Sequence, residues 1–166
     1  MASPTPPDLS VFLQPGELFT TEVPVSVKTV LGSCLAVTMR APRLGLAAMA
    51  HCLLPNAGTS SSALPEAEAL RYVDSTIELM LRRFASRGVG REELEIKLFG
   101  GSCKSELAWY GVGHRNVASA RMVLARYGIQ AAASATGGHS GMAIEFHTAS
   151  GDVLVKRLPY QREPEK

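Results

Sequence analysis

Hydrophobic and polar positions along this 166-residue chain fall mostly into short runs separated by turn residues, which is typical of β-strands. The clearest run, 94–99, alternates apolar and charged side chains and ends at Gly100-Gly101. A break over 40–43 that contains Pro42 separates two further runs and suits a hairpin connection. Strands are predicted over 17–30, 34–39, 44–54, 94–99, 129–135, 142–147 and 153–158.

Two segments have the spacing of helices instead. Apolar residues recur at three- and four-residue intervals from Val73 to Phe84, with Pro65 before them and Gly88 after them, which predicts a helix within 65–88. A second helix is predicted from about Asn116 to Gly128. Many short strands with only two long helices predict an α+β fold in which most of the sheet is antiparallel.

The chain is predicted to form one domain over 16–158. Residues 1–15 are rich in proline and carry neither a basic nor an apolar signal segment, so they are expected to be a loose tail, and 159–166 a polar one. No apolar run reaches the ~18 residues of a membrane span, so the protein is not expected to insert into a membrane. Three cysteines without a secretion signal favour the reduced cytoplasm.

Composition narrows the classes of partner. Apolar residues make up 46% of the chain and charged residues 19%, which is ordinary globular usage. The formal net charge is only +2, and the basic residues are scattered along the sequence. A nucleic-acid partner is therefore not expected.

Candidate chemistry centres on Cys34 and His51. Cys34 follows the small residues Gly32 and Ser33, and His51 ends the next apolar run. An imidazole can take the thiol proton and later return it to a leaving group, so the pair suits attack on an acyl or amide carbon. Taken singly, a buried structural cysteine and a strand-end histidine remain the alternatives.

Other residues are weaker candidates. Cys52 points away from His51 if that run is a strand, and Cys103 is best interpreted as a structural or surface thiol. The cysteines and His51 lack the close spacing of a zinc site, so no metal is expected. Gly100-Gly101 and Gly137-Gly138 follow strand-like runs and are interpreted first as turns, with a position beside a cleft as the alternative.

Taken together, these motifs resemble the CheD family of chemoreceptor glutamine deamidases, and the resemblance extends over about 17–158. Its markers occur in the family's order: Thr29-x-Leu31-Gly32-Ser33-Cys34, Met49-Ala50-His51 with Leu54-Pro55, Lys97-x-Phe99-Gly100-Gly101, Gly113-His114-Arg115-Asn116, Gly137-Gly138 and Val153-Leu154-Val155-Lys156.

The resemblance implies a sandwich of sheets with helices outside it and a Cys-His-Thr triad formed by Cys34, His51 and Thr29. The implied reaction is hydrolysis of glutamine side-chain amides in methyl-accepting chemotaxis receptors, with release of ammonia and no cofactor. Backbone N–H groups at Gly32 and Ser33 are candidate oxyanion donors, and Gly100 and Gly101 are candidate substrate contacts. A CheC-type phosphatase is the implied partner.

Departures from the family pattern keep two alternatives open. The residues before the Gly137-Gly138 turn are Ala135 and Thr136, where the family often has an acidic residue, and Met142 stands where an arginine is common. Cys103 stands where a bulkier apolar or amide residue is common. The changes at Met142 and Cys103 keep open a non-catalytic adaptor that binds a phosphatase or receptor. A thiol esterase acting on receptor methyl esters would use the same triad.

Overall fold

The computed structural model describes residues 9–104 and 111–159. Two β-sheets pack face to face, and helices cover the outer face of the larger sheet. The strands are β1 (Ser10–Phe12), β2 (Leu18–Thr21), β3 (Ser26–Leu31), β4 (Leu35–Ala41), β5 (Leu46–Cys52), β6 (Glu95–Gly100), β7 (Ala133–Thr136), β8 (Met142–His147) and β9 (Val153–Arg157). The helices are α1 (Glu66–Ala69), α2 (Val73–Ser86) and α3 (Val112–Arg126), with 3₁₀ turns at Pro42–Leu44, Ser61–Ala63 and Arg91–Glu93.

The strand order is β1-β3-β8-β9 in the smaller sheet and β2-β5-β4-β6-β7 in the larger one. Among the described strands, only β1 with β3 and β6 with β7 pair in parallel. The predicted α+β class and its mostly antiparallel pairing are therefore confirmed. The predicted hairpin joins β4 to β5 through the turn at Pro42–Leu44.

Between the two sheets lies one hydrophobic core. Strand β3 alternates buried and exposed positions, because one face meets the larger sheet and the other meets solvent. Small residues of the larger sheet, Ala36 and Ala47, leave room there for the aromatic and branched side chains of the smaller sheet. The core residues contributed by the smaller sheet are Val27, Leu31, Met142, Ile144 and Phe146.

A second core lies between the larger sheet and the helices. Strand β5 is buried along its whole length, because helices cover one face and the smaller sheet covers the other. This explains why its sequence is a continuous apolar run rather than an alternating one. Helix α2 contributes the stripe predicted from its spacing, and α3 contributes a second stripe: Val73, Ile77, Met80, Leu81 and Phe84, then Val117, Ala120, Val123 and Leu124.

The N-terminal tail is shorter than the predicted range 1–15. Residues 10–12, assigned to the tail, form β1 and pair in parallel with β3. Leu13 is buried in the core between the sheets. The proline-rich composition of residues 1–15 obscured this strand, because the prolines lie on either side of it rather than within it. Residues 1–8 lie outside the described residues.

The first predicted helix is divided in two. Helix α1 ends at Ala69 and α2 begins at Val73, with Leu70–Tyr72 between them. At this break, the carbonyl of Arg71 accepts hydrogen bonds from the backbone N–H groups of Leu53 and Leu54. The interruption thus docks the chain that leaves β5, which helical periodicity alone does not reveal.

The second predicted helix begins four residues too late. Helix α3 starts at Val112, so Asn116 lies inside it. Gly113 is required in its first turn, because a Cβ there would lie 2.3 Å from the carbonyl oxygen of Ser102. Glycine normally disfavours a helix, and here a tertiary contact overrides that preference.

Two predicted strand boundaries also need correction. The run 17–30 forms two strands in different sheets, β2 and β3. The run 129–135 is irregular until β7 begins at Ala133. No helix of the described residues is long and apolar enough to cross a membrane.

Candidate active site

The sheet register brings Cys34 and His51 to one face of the larger sheet. Cys34 immediately precedes β4, in which Ala36 pairs directly with His51 on β5. Side chains two residues apart on a strand share a face, so Cys34 and His51 are diagonal neighbours, a relation that places Cα atoms roughly 7–8 Å apart. Cys34 packs against the core between the sheets.

Thr29 reaches His51 from the opposite sheet. It lies on the inward face of β3, and its Oγ1 is 2.8 Å from Nδ1 of His51. The same hydroxyl donates to the carbonyl oxygen of Leu13 at 2.8 Å. A hydroxyl has one proton, so Oγ1 must accept from Nδ1–H of His51, which leaves Nε2 unprotonated in the neutral ring. The geometry therefore fixes the tautomer in which Nε2 can act as a base.

The backbone of His51 is held by the segment that follows β1. His51 N–H donates to the carbonyl of Glu17 at 3.1 Å, and Gly16 N–H donates to the carbonyl of His51 at 2.8 Å. His51 is only 2% exposed, whereas Cys34 is half-buried. The base is thus enclosed by protein while the thiol lies near the surface.

Burial controls the protonation of both groups. It raises the pKa of the Cys34 thiol, an effect that the residue's own backbone N–H partly offsets. Burial also lowers the pKa of His51, opposed by the negative charge of Glu17. Both shifts favour a neutral thiol beside a neutral imidazole at rest.

A neutral thiol that attacks a substrate has to lose its proton during the attack. Within the part of the chain that the structure describes, no hydrogen bond joins the Cys34 thiol to His51. Catalytic hydrogen bonds are often long in the absence of substrate and shorten in the complex.

Gly32 and Ser33 form an exposed corner beside the thiol. None of the hydrogen bonds of residues 9–104 and 111–159 uses the backbone N–H of Gly32 or Ser33. Unpaired backbone N–H groups are free to donate to a negatively charged group.

Gly100 and Gly101 support the corner from the neighbouring strand. Gly101 N–H donates to the carbonyl of Cys34 at 2.9 Å. Gly100 has a φ of 101°, and a Cβ there would lie 2.3 Å from the same carbonyl oxygen. The N–H of Gly101, a residue predicted to contact substrate, is thus used to hold the peptide group of Cys34.

Other predicted candidates lie apart from the pair. Cys52 faces the helices, where burial raises its pKa to about 12 against the smaller effect of a hydrogen bond with Thr76. Cys103 borders a cleft of about 510 Å³, and all three cysteines are free. The alternative left open for the glycine turns holds for three of these residues, because Gly101, Gly137 and Gly138 line this cleft. No group of three or more His, Cys, Asp or Glu side chains in the described ranges is placed to hold a metal ion.

Sequence reasoning did not identify Asn116 as a site residue. Its Nδ2 donates to the carbonyl oxygens of Ser33 at 2.9 Å and Leu53 at 3.1 Å. Asn116 is fully buried. A polar amide on the buried face of an amphipathic helix was the available signal, because such a group needs partners.

A thiol, an imidazole of fixed tautomer and a hydroxyl that orients it are typical of enzymes with a cysteine nucleophile. The comparisons with known proteins agree with this class. The family model described as CheD chemotactic sensory transduction matches residues 53–157. The chain belongs to the CheD family.

Three relatives show how far the similarity extends. A protein of Geobacter sulfurreducens named probable chemoreceptor glutamine deamidase CheD 2 is 45% identical over 150 residues, 89% of each chain. The probable chemoreceptor glutamine deamidase CheD of Maridesulfovibrio salexigens is 36% identical over 155 residues, 89% of this chain and 91% of that protein. The protein of the same name from Caulobacter vibrioides is 36% identical over 158 residues, 95% of this chain and 82% of that protein.

Proposed function

We propose that this chain hydrolyses the side-chain amides of glutamine residues in chemotaxis receptors to glutamate, with Cys34 as nucleophile, His51 as base and Thr29 as the group that orients His51. The observation that carries this proposal is the hydrogen bond from His51 Nδ1 to Thr29 in a site whose other member is a half-buried thiol. Membership in the CheD family and the deamidase names of the relatives support the substrate class.

The first half of the reaction forms a thioester. Nε2 of His51 takes the proton of Cys34 while Sγ bonds to the carbon of the glutamine amide. The electron pair of the C=O bond moves onto oxygen, and the N–H groups of Gly32 and Ser33 stabilise this charge. One such donor typically contributes about 3 kcal/mol to the transition state. His51 then gives its proton to the amide nitrogen, the C–N bond breaks, and ammonia leaves.

The second half restores the thiol. His51, again neutral, removes a proton from water, and the hydroxide oxygen bonds to the thioester carbon. The C–S bond breaks, the sulfur recovers its proton from His51, and glutamate is released. Throughout, the hydroxyl of Thr29 accepts from Nδ1–H, so Nε2 remains the nitrogen that exchanges protons.

The exposure of the site suits a macromolecular substrate. Gly32 and Ser33 are exposed and lack bulky side chains, so a glutamine on the surface of another protein can approach Cys34 without the site opening. His51 lies beneath this corner, away from solvent. A bulk-water nucleophile is thus kept from the base until the amide is bound.

The direct test is the intact mass of a receptor cytoplasmic fragment from the same cell, incubated with the freshly reduced protein. Each glutamine converted adds about one dalton and one negative charge. We expect conversion with the native chain and none with Cys34→Ala. Cys103→Ser is the matched control, because it also alters a half-exposed thiol and should retain activity. An unchanged mass with native protein, or equal losses in the two variants, would contradict the proposal.

The proposal extends to the setting of the reaction. Receptor cytoplasmic regions are the substrate, so the protein works in the cytoplasm, and a CheC-type phosphatase is its proposed partner. Co-purification with that phosphatase from the same cell tests the partnership. We expect Cys34→Ala to keep such binding, since the change removes only the sulfur atom. Failure of the native chain to bind would contradict this part alone.

A further inference from the structure

One amide joins the two segments that carry the proposed catalytic groups. Asn116, on α3, donates from Nδ2 to the carbonyl of Ser33, the residue before Cys34. The same nitrogen donates to the carbonyl of Leu53, two residues after His51. Both carbonyls belong to residues outside the strands, where the sheet ladder no longer fixes the chain.

The orientation of this amide is set by chemistry. Both hydrogens of Nδ2 face carbonyl oxygens, and the reversed amide would place Oδ1 against them instead. In the part of the chain that the structure describes, Oδ1 is buried and has no hydrogen-bond partner. An unpaired buried oxygen is unfavourable, so the two hydrogen bonds that Nδ2 makes have to offset the cost of burying Oδ1. Such departures from local consistency occur mainly at functional sites.

The backbone around Asn116 is packed too closely to shift. Gly113, one turn earlier on α3, lies against the carbonyl oxygens of Gly101 and Ser102. Ser102 N–H in turn donates to the carbonyl of Gly32 at 3.0 Å. Helix α3 therefore packs against residues 101–102, which are themselves bonded to Gly32 beside Cys34. This packing makes the Asn116 amide a rigid link rather than a mobile one.

From these contacts we infer that Asn116 is a positioning residue, which fixes the separation of Cys34 from His51 by tying the carbonyls of Ser33 and Leu53 to one amide. The role in deamidation rests on the function proposed above. Rates of reaction between positioned groups are sensitive to displacements of about 1 Å. Loss of the link should therefore slow the chemical step more than it weakens substrate binding.

The chain offers a matched control on the same helix. Ser119 is buried, and its Oγ contacts the carbonyl of Pro55 at 2.7 Å and Oδ1 of Asn56 at 2.8 Å. It therefore anchors α3 to the chain that leaves β5, as Asn116 does, but does not contact Ser33. Ser119→Ala removes helix-to-loop bonds without removing the link between the catalytic segments.

The test compares Asn116→Ala, Asn116→Asp and Ser119→Ala in the full chain. Deamidation of a receptor fragment gives kcat and KM, and alkylation by iodoacetamide gives the reactivity of Cys34 relative to Cys103 in the same sample. For Asn116→Ala we expect kcat to fall about tenfold or more and KM to change less than about threefold. The relative alkylation rate of Cys34 should change by about threefold or more, whereas Ser119→Ala should stay within about twofold in every measurement.

Asn116→Asp keeps the shape of the side chain and tests the hydrogen bonds that Nδ2 donates. A protonated carboxyl still donates one hydrogen bond, and an ionised one donates none. Its kcat relative to the native chain should therefore decline as pH rises. A pH-independent ratio equal to one would overturn the inference.

Three further outcomes are decisive. Equal behaviour of Asn116→Ala and Ser119→Ala would overturn the inference, as would unfolding of both Asn116 variants at the assay temperature. If the native chain fails to deamidate receptors while Asn116→Ala still changes the alkylation of Cys34, the proposed function fails and the positioning role is supported. Thermal unfolding of each variant separates these cases.

Discussion

Cys34 and Cys52 both lie close to His51, yet they occupy opposite sides of the larger sheet. Cys52 adjoins His51 in sequence, but its side chain lies in the core beneath the helices, where burial raises its pKa to about 12. Cys34 is distant in sequence, but its side chain lies at the edge of the core between the sheets. The thiol nearest to the imidazole along the chain is therefore the one that cannot react with it.

The difference teaches that the face of the strand decides the chemistry of a residue here. Adjacent residues on β5 point in opposite directions, so His51 meets Thr29 and Cys52 meets Thr76. Gly32 and Ser33, beside Cys34, are exposed, whereas Cys52 is fully buried beneath the helices. Under the proposed function, substrate reaches the first thiol, and the second contributes only to stability.

Substitution of each cysteine in turn should show the largest difference between the two sides of the sheet. We expect Cys34→Ser to reduce deamidation by at least about 10³-fold, because an alcohol is a far weaker nucleophile beside the same imidazole. Cys52→Ala should leave activity within about threefold and lower the free energy of unfolding by about 1–2 kcal/mol through loss of core contacts. Intact-mass kinetics and chemical denaturation measure the two effects.

The comparison fails if the two substitutions have the opposite effects. Substantial activity in Cys34→Ser, or abolished activity in a folded Cys52→Ala, would show that the layer beneath the helices participates in chemistry.

Substitution of His51 should have the next largest effect on activity, and substitution of His147 should have little. His51→Gln removes the proposed base, and we expect kcat to fall by about 10²–10⁴-fold. His147→Gln is the control, because His147 is a partly exposed residue of the smaller sheet that bonds to Ser26 and Glu145. It should leave kcat within about twofold. Comparable losses in the two variants would contradict a specific role for His51.

Much of this organisation follows from local sequence patterns. The alternating run before Gly100 and the apolar stripe of α2 predicted elements that the structure contains. Cys34 and His51 were predictable as a pair, because small residues precede the thiol and a strand delivers the imidazole. The strict two-residue period of a strand reveals which side chains share a face. The prediction that Cys34 and His51 form a pair depends on this information.

What could not be predicted depends on contacts between distant segments. Strand β1 is three residues long and is stabilised by pairing with β3 and by packing of Val11 against the core between the sheets. The bond from Thr29 to His51 crosses from one sheet to the other, and its position came from family resemblance rather than spacing. Asn116 donates to the carbonyls of two segments that are remote from it in sequence. Patterns of period two or 3.6 carry no information about such links.

Substitution of Thr29, whose hydroxyl bonds across the two sheets to His51, should have a moderate effect on kcat. Thr29→Val keeps the side-chain shape and removes the acceptor that fixes Nδ1–H of His51, so we expect kcat to fall about tenfold, less than for loss of His51. Thr38→Val is the matched control, because Thr38 is also buried but lies on β4. It should leave kcat within about twofold. Equal kcat values for the two variants would indicate that the hydroxyl of Thr29 does not orient the base.

The smallest expected effect concerns pH. Burial lowers the pKa of His51, so the base stays neutral, and activity should persist, below the ordinary histidine value of about 6.5. Because the unfolded chain then binds more protons than the folded one, His51 also makes stability decrease as pH falls through this range.

Glu17→Gln removes a charge that opposes the lowering of the His51 pKa, so the acid limb of the kcat/KM profile should move to lower pH, with a change of no more than about twofold at neutral pH. Glu22→Gln, which alters an exposed carboxylate paired with Arg87, should not move the limb. An unchanged limb, or a shift to higher pH, in Glu17→Gln would contradict the effect of the Glu17 charge on the pKa of His51.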